Sequence, residues 1–308
     1  MINFILKKIF KNVSKKMLID DLDLINKQKE NKIIDVNTFN FDENDKNYNV
    51  NFYHLKNHST INNNLIIDFH GGAWIYGDKD TNGLFCMELA KYNYLITSFT
   101  YPLIINNFTL IDIMRSTFKA INFILNMYNR YHFNKNNITL IGDSAGGHLL
   151  LLFLAINNSK ELQSIYNVNH IDININSVIL NHAAPFLLDL VLLKKHKIIN
   201  ILAKRTFNIM MFGDNKKRNI IRNNSSLNQI IKYIDKNLKY LIITSDGDKV
   251  CKEQTTMMTS LFKKENINFN FYIEKSDDSY HVYNVLEPYL EISKKCNNYI
   301  INFINSNN

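Results

Sequence analysis

The chain has few of the residues that staple, kink or span. It has only three cysteines, Cys86, Cys251 and Cys296, an odd number and widely spaced, with no Cys-x-x-Cys. That excludes a disulfide framework and a cysteine-based zinc site, and reads as reduced thiols in a cytoplasmic protein. Proline is equally scarce, at three. The longest apolar run, Leu149 to Ile156, is far too short to cross a bilayer. Near the N-terminus Lys7 and Lys8 interrupt the apolar residues before a secretory h-region can form, and no small-residue cleavage site follows. No His/Cys/Asp/Glu group has metal-ligand spacing, and no glycine-rich piece carries the Lys-Ser/Thr of a phosphate loop. Neither a metal site nor a phosphate loop is therefore expected.

The 308 residues are instead 46% hydrophobic and 12% aromatic, enough for one large core. The formal charge of +8 would suit an anionic partner. The basic residues are scattered, however, and no basic–aromatic nucleic-acid motif appears. A compositional bias towards Lys, Asn and Ile explains the charge better, so no nucleic-acid partner is expected.

Apolar periodicity predicts the organisation. Ile2, Ile5, Leu6, Ile9, Val13 and Met17 recur at helical spacing, with lysines largely between them. Residues 1–30 thus read as a basic amphipathic helix. Such a helix can lie on a membrane, but packing on its own domain as part of a lid is the favoured expectation. Strands are predicted at 48–55, 65–69 and 94–99, in the apolar run from Ile138 that leads into Gly-x-Ser-x-Gly, and at 177–180, 240–244 and 268–273. Helices are predicted at 81–93, 108–130, after 144, at 252–265 and at 283–303. Strand alternating with helix gives a mostly parallel sheet covered on both faces, with chemistry at the carboxyl ends of the strands. Residues 188–235 break the alternation and read as an inserted cap, so residues 1–308 form a single α/β domain with a two-part lid. The oligomeric state cannot be read from the sequence.

The most informative stretch is Ile138-Thr139-Leu140-Ile141-Gly142-Asp143-Ser144-Ala145-Gly146-Gly147-His148. A β-branched run meets Gly-x-Ser-x-Gly and then a long apolar segment, the pattern of a strand–turn–helix nucleophile elbow. Ser144 needs a base, and the base needs an orienting acid. His281 lies between the last strand and the last helix. The loop after strand 240–244 offers Asp246 and Asp248; Asp248 is chosen because it follows Gly247 and sits further from the strand end. Asp246 is the second choice and Glu253 the third. His70-Gly71-Gly72-Ala73-Trp74 follows strand 65–69, so the amides of Gly71 and Gly72, with that of Ala145, are expected to bind an oxyanion. Trp74 and Tyr280 serve equally well as pocket walls or as core. Asp143, His70 and His148 are expected to hold loops by hydrogen bonds. The remaining histidines, His182 among them, have no catalytic context.

Three of these pieces together, His70 to Trp74, Tyr101-Pro102-Leu103 and Gly142 to Gly147, resemble the hormone-sensitive-lipase-like branch of the α/β-hydrolase fold, which includes bacterial acetyl esterases and short-chain carboxylesterases. Ala184 to Leu190 is similar to the segment after that family's sixth strand. The resemblance implies an eight-stranded sheet, a lid from the N-terminus and an insertion, and cofactor-free hydrolysis of small ester substrates through an acyl-enzyme. It implies Ser144 as nucleophile, Asp248 as acid, His281 as base, and Gly71, Gly72 and Ala145 as oxyanion donors. The sequence departs from the family where Tyr101 to Asn106 lacks its conventional proline and glutamate, and where Asp248-Lys249-Val250 replaces its usual acid loop. Relatives sharing these motifs include arylformamidases and peptidases, which keeps amide hydrolysis as an alternative. A non-catalytic binding protein on the same scaffold ranks below both, since every triad candidate is present.

Overall fold

The computed structural model describes residues 2–28, 32–56, 64–187, 197–213 and 218–306, and no side chains for 2–6 or 197–200. Its strands are β1 (Ile34–Asn40), β2 (Asn49–Leu55), β3 (Leu65–Phe69), β4 (Leu95–Phe99), β5 (Ile138–Asp143), β6 (Ile175–Asn181), β7 (Lys239–Ser245) and β8 (Phe269–Glu274). They form one eight-stranded sheet in the order β1-β2-β4-β3-β5-β6-β7-β8. β2 is antiparallel to both β1 and β4, and every other pairing is parallel. The mostly parallel α/β sheet expected from the sequence is the sheet observed.

Alternation along the central strands builds two cores at once. Ile67, Leu140, Val178, Leu180 and Ile242 face one side, and Ile66, Ile141, Ile179, Leu241 and Ile243 the other. Side chains of a strand leave the sheet on opposite faces with a period of two, so an uninterrupted apolar run feeds both layers. Helices Leu110–Asn126, Ala145–Asn157 and Lys252–Lys264 cover the first side; Gly83–Ala90 and Glu291–Asn305 cover the second. Ala145–Asn157 is buried along its whole length. Each of its large apolar side chains contributes about 1.5–3 kcal/mol of gross burial free energy, which fixes the helix and the turn that precedes it.

Three differences from the sequence reading have physical causes. β1 escapes it because an edge strand buries little: after Ile34 its residues are exposed or half-buried. The helix Lys160–Tyr166 is short and starts at Ser159, whose hydroxyl accepts from the Leu162 amide. The last helix is two, Tyr283–Leu286 and Glu291–Asn305. They are separated where Pro288 removes a donor and restricts the residue before it.

The N-terminal helix, Ile2–Asn26, lies across the carboxyl ends of the strands. Phe10 is buried in the larger core, and Leu24 and Ile25 pack on the smaller. The Ser14 hydroxyl donates to the Ile75 carbonyl at 2.7 Å, and the Gln28 amide donates to the Leu286 carbonyl at 2.7 Å. One helix therefore clasps both sides of the cleft. Its outer surface mixes exposed Ile9, Val13, Ile19 and Leu22 with exposed lysines. Among the described residues no helix is long and apolar enough to cross a membrane. Of the predicted insertion, Lys197–Phe212 is helical and buries Phe207, Met210 and Met211 against the larger core. Residues 188–196 and 214–217 of that expectation lie outside the described residues.

Candidate active site

Ser144 follows β5 directly, with φ 49° and ψ −118°. A non-glycine residue held there is strained, and surrounding contacts must over-determine it. A Cβ at Gly146 would sit 1.8 Å from the Phe69 carbonyl oxygen, and one at Gly142 would sit 2.7 Å from the Gly146 carbonyl oxygen. The two glycines are thus the condition for the tight turn. The Ser144 amide donates to Asn181 at 3.1 Å, and its carbonyl accepts from Ala184 at 2.9 Å, pinning the elbow to β6 and the loop beyond.

His281 enters from the loop after β8, 137 positions away in sequence. Its Nε2 lies 2.9 Å from Ser144 Oγ. Its Nδ1 lies 3.1 Å from Asp248 Oδ2. Asp248 comes from the loop after β7, and its Oδ1 accepts from the backbone N–H groups of Val250 at 2.8 Å and Cys251 at 2.9 Å. Burial opposes its charge. The His281 hydrogen bond and charge, His182 and the Cys251 amide outweigh burial and bring the carboxyl down to about 2. Asp248 is therefore an anion at neutral pH. It fixes the proton on His281 Nδ1 and leaves Nε2 free to accept from the serine. Asp246 instead pairs with Lys252 at 2.9 Å on the outer side of the loop.

Beneath His281 is a residue the sequence did not mark. His182, after β6, is fully buried at φ 50°. Its Nε2 donates to Ser245 Oγ at 3.2 Å, and its Nδ1 lies 2.9 Å from the side-chain amide of Asn181. The Ser245 hydroxyl donates in turn to the Ser279 carbonyl, two residues before the base. Burial, with the His281 charge, pushes His182 down to about 3, so it stays neutral. No spacing signal announces it, because its role depends on β6 and β7 being neighbours.

On the other side of Ser144 lies the His70–Trp74 turn. Gly72, Ala73 and Trp74 all have positive φ, of 109°, 51° and 62°. The Gly72 carbonyl accepts from Ile75 at 3.0 Å and Tyr76 at 3.1 Å. Asp143 packs against Gly71, where a Cβ would lie 2.2 Å from Asp143 Oδ2, and Gly71 lines the cavity before Ser144 as expected of that loop. Among the described residues the amides of Gly72, Ala73 and Ala145 have no acceptor. Asp143 also accepts from Asn82 Nδ2 at 2.7 Å, and the same amide reaches the two oxygens of Asp68 at 3.0 and 3.2 Å. Burial raises both carboxyls to about 7, the charge of Asp68 adding to the effect on Asp143.

His70 stacks on Tyr101 with centroids 4.1 Å apart, and its Nδ1 meets the Gly71 carbonyl at 2.8 Å. Trp74 is buried, donates to His148 Nδ1 at 3.3 Å and packs edge-on to Phe207. His148 shares a second hydrogen bond, from Nε2 to the Ser225 carbonyl at 2.9 Å, so it is neutral with its proton on Nε2. Tyr280 is half-buried and its hydroxyl donates to Glu287. The cavity before Ser144, about 20 Å³, is lined instead by Asp21, Gly71, Gly72, Tyr76, Thr81, Asn82, Asp143 and His281, together with Val282, Val285 and Leu286. No group of His, Cys, Asp and Glu among the described residues could hold a metal ion.

Comparison with known proteins agrees with this architecture. Esterase B from Lactobacillus rhamnosis superposes with a TM-score of 0.89 at 19% identity, over 99% of this chain and 95% of that one. A hyperthermophilic esterase from Pyrobaculum calidifontis does so with a TM-score of 0.69 at 16% identity, over 98% and 97%. At such identities the likeness is one of fold. An isoprenylcysteine alpha-carbonyl methylesterase from Arabidopsis thaliana is 30% identical over 102 residues, 32% of this chain. The match spans only 23% of that curated relative's length. The BD-FAE family profile matches residues 50–262, from β2 through the elbow and the acid loop to the helix beyond it. With the sheet order and the elbow, that match shows that the chain belongs to the BD-FAE family of α/β-hydrolases.

Proposed function

We propose that the protein is a carboxylic ester hydrolase that works through a Ser144–His281–Asp248 triad and an acyl-enzyme. One observation carries the proposal: His281 Nε2 is 2.9 Å from Ser144 Oγ while Nδ1 is 3.1 Å from a carboxylate held ionised. Esterase names among structural neighbours and the methylesterase relative favour esters as the substrate class.

The steps follow from the geometry. His281 accepts the Ser144 proton as Oγ bonds to the ester carbonyl carbon, and the carbonyl π pair moves onto oxygen. The resulting oxyanion takes hydrogen bonds from the amides of Gly72 and Ala145, with Ala73 beside them. Asp143, packed against Gly71, holds the loop that aims those donors. Collapse of the intermediate breaks the C–O bond, and His281 gives its proton to the leaving alkoxide. Water then repeats the sequence on the acyl-enzyme, releasing acid and restoring Ser144. A cavity of about 20 Å³ holds about one water. An ester is therefore admitted only as the N-terminal helix shifts, and that helix with residues 197–213 and 218–235 forms the lid of a single domain. The small space favours short acyl groups.

A p-nitrophenyl ester series from acetyl to dodecanoyl, with Ser144→Ala as control, tests this. Serine-dependent hydrolysis falling with chain length is expected. A maximum at long chains would refute the short-acyl preference. Activity confined to N-formylkynurenine or peptide amides would refute ester hydrolysis as the reaction.

A further inference from the structure

The protein carries a formal charge of +8, yet its cleft does not. Among the described residues lining the cavity before Ser144 there is no lysine or arginine, and there are two carboxyl groups: Asp143, which accepts from Asn82, and Asp21, which comes from the lid. It sits on the inward face of the N-terminal helix, whose neighbouring inward positions are Phe10, Ser14, Met17, Leu18, Leu24 and Ile25. A carboxylate on a face that otherwise packs apolar side chains gives up solvation, so packing does not explain it.

Its contacts leave it unneutralised. Oδ2 accepts from the Tyr76 hydroxyl at 2.8 Å, and Tyr76 belongs to the turn that follows the oxyanion loop. Oδ1 has no protein donor, and no lysine or arginine pairs with the group among the described residues. Burial raises its carboxyl, and the Tyr76 hydrogen bond works against that rise. A charge of one sign in a cleft with low-dielectric walls acts on whatever enters, with less screening than a surface charge.

Building on the ester-hydrolase reading, we propose that Asp21 is a specificity-determining residue that selects esters bearing a positive charge near the scissile bond and rejects esters bearing a second carboxylate. When the helix reseats over a bound ester, the free Oδ1 faces the substrate. An ammonium there gains a partner, an uncharged group gains nothing, and a carboxylate meets a like charge. The overall basicity of the chain would suggest the opposite preference.

Matched esters test it on both sides of the scissile bond. On the acyl side these are the methyl esters of aminohexanoate and heptanoate, with monomethyl adipate as the anion. On the alcohol side they are butyrylcholine and its neutral isostere neohexyl butyrate. Each kcat/KM is divided by the ester's hydroxide-catalysed rate, which removes intrinsic reactivity. On at least one side the cationic ester is expected to exceed the neutral one by about tenfold, the effect of roughly one partly desolvated charge pair. Asp21→Asn should collapse that ratio to near unity, while Asp21→Glu should keep part of it. An unchanged ratio in Asp21→Asn, or an anionic ester accepted as well as a cationic one, overturns the proposal.

Calorimetric binding of choline and of neohexanol to the unmodified protein gives a second answer that needs neither turnover nor a folded variant. Choline, or on the acyl side 6-aminohexanamide measured against heptanamide, should bind about tenfold more tightly than its neutral match; equal affinities within both pairs overturn the proposal. Failure of every ester to show Ser144-dependent hydrolysis would overturn the ester-hydrolase reading instead, and the binding comparisons would still decide the role of Asp21.

Discussion

The imidazole of His182 stands edge-on to that of His281, with ring centroids 5.9 Å apart and planes at 88°. The lower ring is buried and neutral, and it shares a hydrogen bond with Ser245, which holds the backbone leading to the base. His182 is therefore a positioning residue. His182→Phe keeps a ring but strips partners from Ser245 and Asn181. It should cost about 1–3 kcal/mol of stability, the penalty for buried polar groups left unmade. It should also lower kcat several-fold with little change in KM. Urea unfolding and steady-state kinetics on one short-chain ester check both parts. A matching fall in stability with unchanged kcat would make the residue purely structural.

Asp248 and Asp246 can be told apart by one exchange each. Asp248→Asn keeps the shape but lets the wrong tautomer of His281 form, and kcat should drop by about 10⁴. Asp246→Asn loses only an exposed pair with Lys252, and both kcat and stability should change little. The Asp248 charge also shapes stability in acid. Its carboxyl goes from 3.8 in the unfolded chain to about 2 when folded. The stabilisation is thus complete above 3.8 and lost as the pH falls towards 2. Asp248→Asn should lose stability at neutral pH, and the difference from wild type should shrink across that acid window.

Asp68 and Asp143 work in the opposite sense. Burial raises each from 3.8 to about 7. The unfolded chain releases protons that the folded chain keeps, so their contribution to stability falls as the pH rises through that interval. Asp68→Asn should remove part of that decline while leaving Asn82 a partner. Urea midpoints at about pH 5 and about pH 7.5 measure it. A variant with the same pH slope as wild type would contradict the assignment.

The elbow tolerates no added methyl. Gly146→Ala would place a Cβ 1.8 Å from the Phe69 carbonyl oxygen. The backbone of β3 or of the helix must shift, and the oxyanion loop follows β3 directly. Loss of soluble protein, or a stability loss of about 3 kcal/mol or more, is expected. Thermal unfolding beside a surface control gives the comparison.

How much of this was legible in the sequence depends on how local the cause is. The elbow, the glycine turn after β3 and the central strands are written in consecutive residues: Gly142 and Gly146 flank Ser144, and β3 was predicted at its observed bounds. Elements that rest on tertiary neighbours were not legible. β1 lacks a fully buried face, and the break at Pro288 was absorbed into one long helical pattern. Gly71 packs on Asp143 because β5 lies beside β3. His182 reaches His281 because β6 lies beside β7. Asp21 reads as one more polar residue of an amphipathic helix until the helix is laid across the cleft.

The most direct test of the central claim is to trap the covalent intermediate. The protein is mixed with an aryl phosphonate ester, and the adduct is located by intact and peptide mass spectrometry. A single adduct on Ser144 is predicted, absent in Ser144→Ala and formed far more slowly in His281→Ala and Asp248→Asn. An adduct on another residue, or labelling of Ser144 that ignores His281, would contradict the triad.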